Sequence, residues 1–353
     1  MSRDSQKKIL EQLEILDGVM EEERSTSEIS SDLLQDEFLP LARMRKDSIP
    51  NEYFNASPVS NAISSTPGIV GSSQPLELTS YKNSVIVVDL TADKDVSLSN
   101  QNVTAYDLSI MDAIYTLQKS GINMFTPEQI YRVMTGDLSI NARPQRIGTI
   151  TKSIRKLRRI LISIDYTDEL AARGIKLRRQ RVVDSNQEEQ NADSDGYFKL
   201  SSYLLPVREV NLKLANSPDA ITGYQLIEVP ALYTYAERTN RIAVVPRELL
   251  LTDLKNTDSL ILIRHYLIRR IEELRRIRNK KNARCIYYLE HDNTPGMIQE
   301  LWPEDNIANI RDKKKSTHTC ATAILDGFVR GEYIKSYTVL QDEKSIIGLS
   351  LYL

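Results

Sequence analysis

The chain has 353 residues, 41% of them hydrophobic and 27% charged, with a formal net charge of −2, a length that predicts two or three domains with cores of their own. No apolar run approaches the ~18 residues of a membrane span, and the polar, acidic N-terminus does not read as a secretory signal. Cys285 and Cys320 are too few for a disulfide framework or a zinc ligand set and suit a reducing cytoplasm, and three histidines (His265, His291 and His318) without HxH or HExxH leave metal chemistry poorly supplied.

The near-zero total hides segregated charge. Residues 1–40 carry eleven acids against four bases, residues 143–183 twelve bases against three acids, and residues 264–284 nine bases against Glu272 and Glu273. Blocks of opposite sign predict a nucleic-acid surface plus an acidic tail.

In chain order, Ile9, Leu13, Leu16 and Met20 form a two-heptad seam within a short helix over Ser5–Arg24. Two heptads are marginal alone, so this is either a partner or dimer contact or a mobile tail. Residues 55–75, rich in Ser, Pro, Gly and Asn, read as a linker or disordered arm, with folded structure expected from about Asn83. Ser84–Leu90 is a strand by its β-branched run. A helix over Tyr106–Ser120 carries Leu108, Met111, Ile114, Tyr115 and Leu117 on one side and stops at Gly121. Thr126 as N-cap and Pro127 at the first position open a second helix, which Gly136 ends.

A third helix is expected from about Pro144. Residues 143–160 hold seven basic side chains and no acid, and Ile147, Ile150, Ile154, Leu157 and Leu161 recur at spacings of three and four. That spacing predicts one buried helix face. Leu161–Ile164 then reads as a short strand, residues 184–196 as a polar loop, and Tyr203–Leu214 with Thr222–Leu232 as a hairpin turning at Asn216–Asp219.

The second half repeats the order. A long helix spans Asp258–Arg278. Thr294, with Pro295 after it, caps a short helix through Trp302. A third helix covers Asn306–Leu325, and Ile334–Leu340 with Ser345–Leu351 closes the chain as a hairpin. Helix, helix, basic helix and hairpin thus appear twice. The expected fold is α+β: two tandem winged helices, each a helix-turn-helix plus a β-hairpin, at residues 83–250 and 251–353, behind a partly disordered arm at 1–82.

In such a unit the third helix enters the major groove, where Arg reads guanine and Lys and Arg neutralise phosphate. The candidate DNA contacts are therefore Arg143, Arg146, Thr149, Lys152, Ser153, Arg155, Lys156 and Arg159 on the first basic helix. Lys176, Arg178 and Arg179 add a grip on phosphate from a connecting loop. On the second unit the candidates are Arg311, Lys313, Lys314, Lys315 and Thr317. The ordinary alternative is a solvated basic face. Glu272 and Glu273 predict that part of the charge at 264–284 is taken up in surface ion pairs.

Enzymatic motifs are missing. Neither GxxxxGK[ST] nor GxGxxG occurs, and His318 and Cys320, two residues apart on a helix, lie on different faces. No catalytic residue, metal or cofactor is expected.

The stretches AspLeuSerIleMetAspAlaIleTyrThrLeu (107–117), ThrProGluGlnIleTyrArgValMetThrGly (126–136), SerIleArgLysLeuArgArg (153–159) and AlaLeuTyrThrTyrAlaGlu (231–237), with the long helix and closing hairpin, resemble the plasmid replication initiators with tandem winged helices. The resemblance spans residues 85–353 and is carried by the order of elements. It implies binding to repeated origin DNA by both units, dimer–monomer exchange between autorepression and initiation, host replication proteins as partners, and a place in the bacterial cytoplasm at the nucleoid. The near-neutral charge and acidic N-terminus depart from that family's basic balance. A transcriptional regulator of the same fold, bound at operator repeats, is the alternative, with a DNA-nicking or recombining enzyme behind it.

Overall fold

The computed structural model describes residues 49–56, 62–64, 66, 68–79, 81–92, 102–175, 198–212, 221–276, 284–303, 309–343 and 345–353. The N-terminal heptad seam, the polar loop at 184–196 and the turn at 216–219 lie outside them.

Local signals set the first helices. Thr104 caps α1 (Ala105–Lys119) through a reciprocal capping box with Asp107. After β4 (Met124–Phe125), Thr126 and Pro127 open α2 (Pro127–Thr135). Gly136 closes it at φ 71°, where a Cβ would sit 2.7 Å from the Leu250 Cβ, so glycine is required on two counts. Pro144 opens α3 (Pro144–Leu157), whose Ile150, Ile154 and Leu157 are buried. The three helices pack on one another, and a sheet of order β4-β8-β7 flanks them, with β7 at Val207–Leu212 and β8 at Ile221–Leu226.

The second unit has the same order of elements. It consists of α6 (Asp258–Arg276), β10 (Cys285–Tyr287), α7 (Met297–Leu301), α8 (Ile310–Arg330), β11 (Ser336–Asp342) and β12 (Ser345–Tyr352). Its sheet runs β10-β12-β11, so in both units the first strand pairs with the last. Both contain the helix–strand–helix–helix–strand–strand order of a winged-helix-type unit, interrupted in the first by further elements within residues 160–203 between the third helix and the hairpin, within a mixed α+β architecture of small antiparallel sheets.

Several boundaries depart from expectation for physical reasons. Leu161 does not extend the α3 stripe. The helix ends at Leu157, and β5 (Ile160–Asp165) turns Leu161 outward between buried Ile160 and Ile162. The first hairpin stops at Leu226, because Ala231–Arg238 is a helix (α5) that buries Leu232, Tyr233 and Tyr235. Gly296, not Thr294, caps α7; a Cβ there would lie 2.3 Å from the Leu289 carbonyl oxygen. Folded structure also begins before Asn83. β1 (Glu52–Ala56) pairs antiparallel with β9 (Ile242–Pro246) and buries Tyr53 and Asn55, while Ile63 is fully buried. A further sheet of order β2-β3-β5-β6 is formed by β2 (Leu76–Thr79), β3 (Val85–Ala92), β5 and β6 (Lys199–Tyr203), with a short helix, α4 (Thr167–Ala172), after β5. Ile86, Val88 and Leu90 of β3 alternate into the core beside Ile160, Ile162 and Ile164.

The joint between the units is α6. From Leu260 to Ile268 every residue is buried, as for a helix with neighbours on all sides. Three of its basic residues point into the first unit. Arg269 donates to Asp112 Oδ2 of α1 at 2.9 Å and to Asn55 Oδ1 at 2.9 Å, and Asp112 also accepts from the Tyr233 hydroxyl at 2.6 Å. Arg264 donates to the Leu250 and Met134 carbonyls. His265 Nε2 faces the Met134 carbonyl at 3.2 Å and so carries the ring proton, leaving Nδ1 to accept from the Tyr53 hydroxyl at 3.1 Å. The Arg264 and His265 contacts to Met134 satisfy a carbonyl at the C-terminal end of α2, where positive charge such as that of Arg264 is favourable. Burial pushes Arg264 down to about 10, which leaves it protonated at neutral pH.

Two titrating groups, the buried His265 and the partly buried Glu300, have opposite linkage. Burial, with Arg264 and Arg269 nearby, holds His265 well below its usual value of 6.5, so below that pH the unfolded chain takes up a proton that the folded chain refuses. Stability from His265 is therefore lost as pH falls below 6.5. Burial pushes Glu300, at the end of α7, up from 4.5 to about 7, so its contribution is complete below 4.5 and lost as pH rises to 7. Between 4.5 and 6.5 the two cancel. Urea unfolding across that range is expected to give a nearly flat stability curve for the natural chain. In Glu300→Gln stability falls as pH drops from 6.5, and in His265→Gln it falls as pH rises from 4.5. Matching slopes in all three proteins would refute this assignment.

Candidate nucleic-acid interface

The outward face of α3 is built from the positions that its apolar stripe leaves free. Arg143, Thr149, Lys152 and Arg159 are exposed. Arg143, Lys152 and Arg159 carry no ion pair among the described residues. The Thr149 hydroxyl donates to the Gln145 carbonyl at 3.0 Å and keeps lone pairs outward.

The other expected contacts on α3 are held by the protein. Ser153 is buried, three residues after Ile150 and four before Leu157, and so belongs to the inward stripe. Lys156 binds Asp107, whose side chain is only 1% exposed, and the Asn102 carbonyl at 2.9 Å. It ties α3 to the N-terminus of α1 instead of facing outward. Arg146 pairs with Asp258 at the start of α6, a link between the α3 helix and the second unit. Arg155 stays exposed but is gripped by Glu209 of β7: its Nε donates to Oε2 at 3.2 Å and its Nη2 to Oε1 at 2.8 Å. Arg158 approaches the same carboxylate at 3.5 Å. The Arg155 hydrogen bonds hold the Glu209 carboxyl below its usual range.

On α8, Arg311 and Lys315 are exposed. The Lys313 ammonium lies 3.5 Å from the centre of the Trp302 ring, a cation–π contact. Lys314 donates to Ser345 Oγ of β12 at 2.9 Å, joining helix and hairpin. Thr317 is buried, one face with Ala321, Ile324 and Phe328. It faces the core and not a ligand. Lys176, Arg178 and Arg179 lie outside the described residues.

Sequence reasoning missed Asp107, Glu209 and Asp258, the three carboxylates that occupy α3 cations. Their separations from α3 along the chain, 49 residues for Lys156–Asp107 and 54 for Arg155–Glu209, leave no local pattern to find. The charge at 264–284 resolves as expected in part, with Arg275–Glu272 and Arg270–Glu273 as surface pairs. Arg264 and Arg269 instead form the buried joint. His318 meets the Tyr288 hydroxyl at 2.8 Å. Among the described residues no group of three or more His, Cys, Asp or Glu is placed to hold a metal ion, and no helix is long and apolar enough to cross a membrane.

No protein-family model matches the chain, and no curated protein matches its sequence. Among solved structures, the chain is similar to the crystal structure of selenomethionine derivatives of domains 2 and 3 of RctB. The identity is 12%, the match covers 84% of this chain and 95% of that one, and the TM-score is 0.38. A second crystal structure of RctB domains 2-3 matches at 9% identity, covering 84% and 96%, with a TM-score of 0.39.

Proposed function

We propose that this protein binds double-stranded DNA sequence-specifically, through α3 in one major groove and α8 in the next, and that it acts stoichiometrically and not as a catalyst. The observation that carries this is the exposed charge along α3: Arg143 at its N-cap, Lys152 on its outward side and Arg159 just past its C-terminus are cations with no ion pair among the described residues, in a stretch (143–160) with no acid. A solvated surface face normally mixes both signs. Arg311 and Lys315 at the start of α8 supply the second contact, weaker because Lys313 and Lys314 are engaged within the unit.

Division into an arm and two winged helices meeting near residue 250 fits this reading, because α6 packs against both units and fixes one third helix relative to the other. We take the biological role to be replication initiation at origin repeats, on the family resemblance of residues 85–353, with homodimers and host replication proteins as partners. Equilibrium binding to duplex DNA from the region upstream of its own gene, at stepped salt, tests the reading. The expected result is tight binding that weakens steeply with salt. Binding indifferent to both sequence and salt would sink it. Direct repeats beside an AT-rich tract in the bound DNA favour the initiator, and a promoter palindrome favours an operator-bound regulator.

A further inference from the structure

In the Arg155–Glu209 pair, the α3 helix is bound side-on by a carboxylate of the hairpin beside it. A guanidinium presents five N–H donors in a rigid planar fork. The Glu209 carboxylate takes Nε–H and one Nη2–H, at 3.2 and 2.8 Å. Glu209 leaves both protons of Nη1 and the second proton of Nη2; the Tyr224 hydroxyl also interacts with the guanidinium, and one outward N–H from each Nη forms an end-on fork of the kind that binds guanine N7 and O6. The arginine is the accessible half of the pair: its side chain is 54% exposed and that of Glu209 is 18%. Beneath them Tyr224 of β8 is fully buried, and Glu209 lies on β7, which pairs with β8, so the carboxylate is mounted on a fixed strand. An arginine on a helix surface otherwise loses side-chain entropy when it orders on a ligand. Here that ordering is already done.

We propose that Arg155 is the residue of α3 that reads a guanine edge, and that Glu209 is a positioning residue which orients its guanidinium for that contact. This deepens the duplex-binding reading above and rests on it. Lys152, a point charge outside any ion pair among the described residues, belongs to the phosphate contacts by the same logic.

Glu209 has a competing role: a carboxylate that occupies Arg155 until phosphate displaces it. The two roles differ in what its removal does. Removing a competitor strengthens binding to all duplexes alike. Removing a positioning residue lowers discrimination at one base pair while leaving nonspecific binding equal or stronger, since a negative charge has gone.

The experiment selects preferred sites from a randomised duplex pool with the natural protein, then measures affinity for each single-base variant of the selected site. The same panel is run with Glu209→Gln and Arg155→Lys. Arg155→Lys keeps the charge and loses the fork. The expected result is a guanine at one position whose preference falls about tenfold or more in both variants, within the range of a bidentate base contact, with the salt slope unchanged. Thermal unfolding of both variants is expected near that of the natural chain, because exposed pairs contribute little. A uniform rise in affinity for Glu209→Gln with preferences intact overturns the positioning role, and so does a selected site whose guanine preferences ignore Arg155→Lys. If the natural protein binds no duplex at all, the parent reading fails. If it binds with preferences that both variants share, only this inference fails.

Discussion

Asp112→Ala is expected to destabilise the folded chain by ~3–5 kcal/mol, the usual cost of breaking a buried ion pair on one side. The substitution takes the carboxylate from the Arg269 guanidinium, which is 4% exposed, and removes the acceptor of the Tyr233 hydroxyl. Arg269 would keep Asn55 among its acceptors. The damage spreads because Asp112 is on α1 of the first unit and Arg269 on the α6 helix of the second. Urea unfolding of the natural chain is expected to show one transition for both units, and Asp112→Ala an earlier one, with the units separating. The double substitution Asp112→Leu with Arg269→Met should recover much of the loss, since no buried charge remains unpaired. Asp253→Ala, which opens the exposed pair with Arg330, is the control and should cost no more than ~1 kcal/mol. A cost for Asp112→Ala no larger than for that control would mean that the joint is held by apolar packing alone.

The second large effect is on binding. Replacing Arg143, Lys152 and Arg159 together with alanine is expected to flatten the dependence of log affinity on log salt by up to ~2.7, at ~0.9 for each phosphate no longer neutralised. Folding should be little changed, because none of the three is held in an ion pair among the described residues. Lys156→Ala should do the reverse. It unpairs the nearly buried Asp107 and loosens α3 from α1, so stability falls while the salt slope stays. Equal slopes for the triple variant and the natural protein would make the α3 face an ordinary solvated surface.

What was legible in the chain depended on how local its cause is. The bounds of α2 follow from Thr126, Pro127 and Gly136, each of which acts within a turn of its own position. The repeated order of helices and hairpins was legible for the same reason, through periodicity and turn residues. β1 was not: its Ser- and Pro-rich surroundings suggest a linker, and its partners in β9 and α6 lie about 190 residues or more away. Arg264 and Arg269 counted as surface charge, although the run Leu260–Ile263 and Tyr266–Ile268 around them already described a helix apolar on all sides. Ser153 and Thr317 were recoverable in principle. Both fall on the apolar stripe of their helices, and their hydroxyls drew attention away from that spacing. The engagement of Arg146, Arg155 and Lys156 was not recoverable, because an ion pair between distant segments leaves no trace in periodicity.

If two third helices, held by α6, grip one duplex, hydroxyl-radical footprinting of the natural protein on its selected site will show both. Two protected segments on one face, about one helical turn apart, are predicted, with the second alone disappearing in Arg311→Ala/Lys315→Ala. A single protected segment that survives that double substitution unchanged would contradict the account.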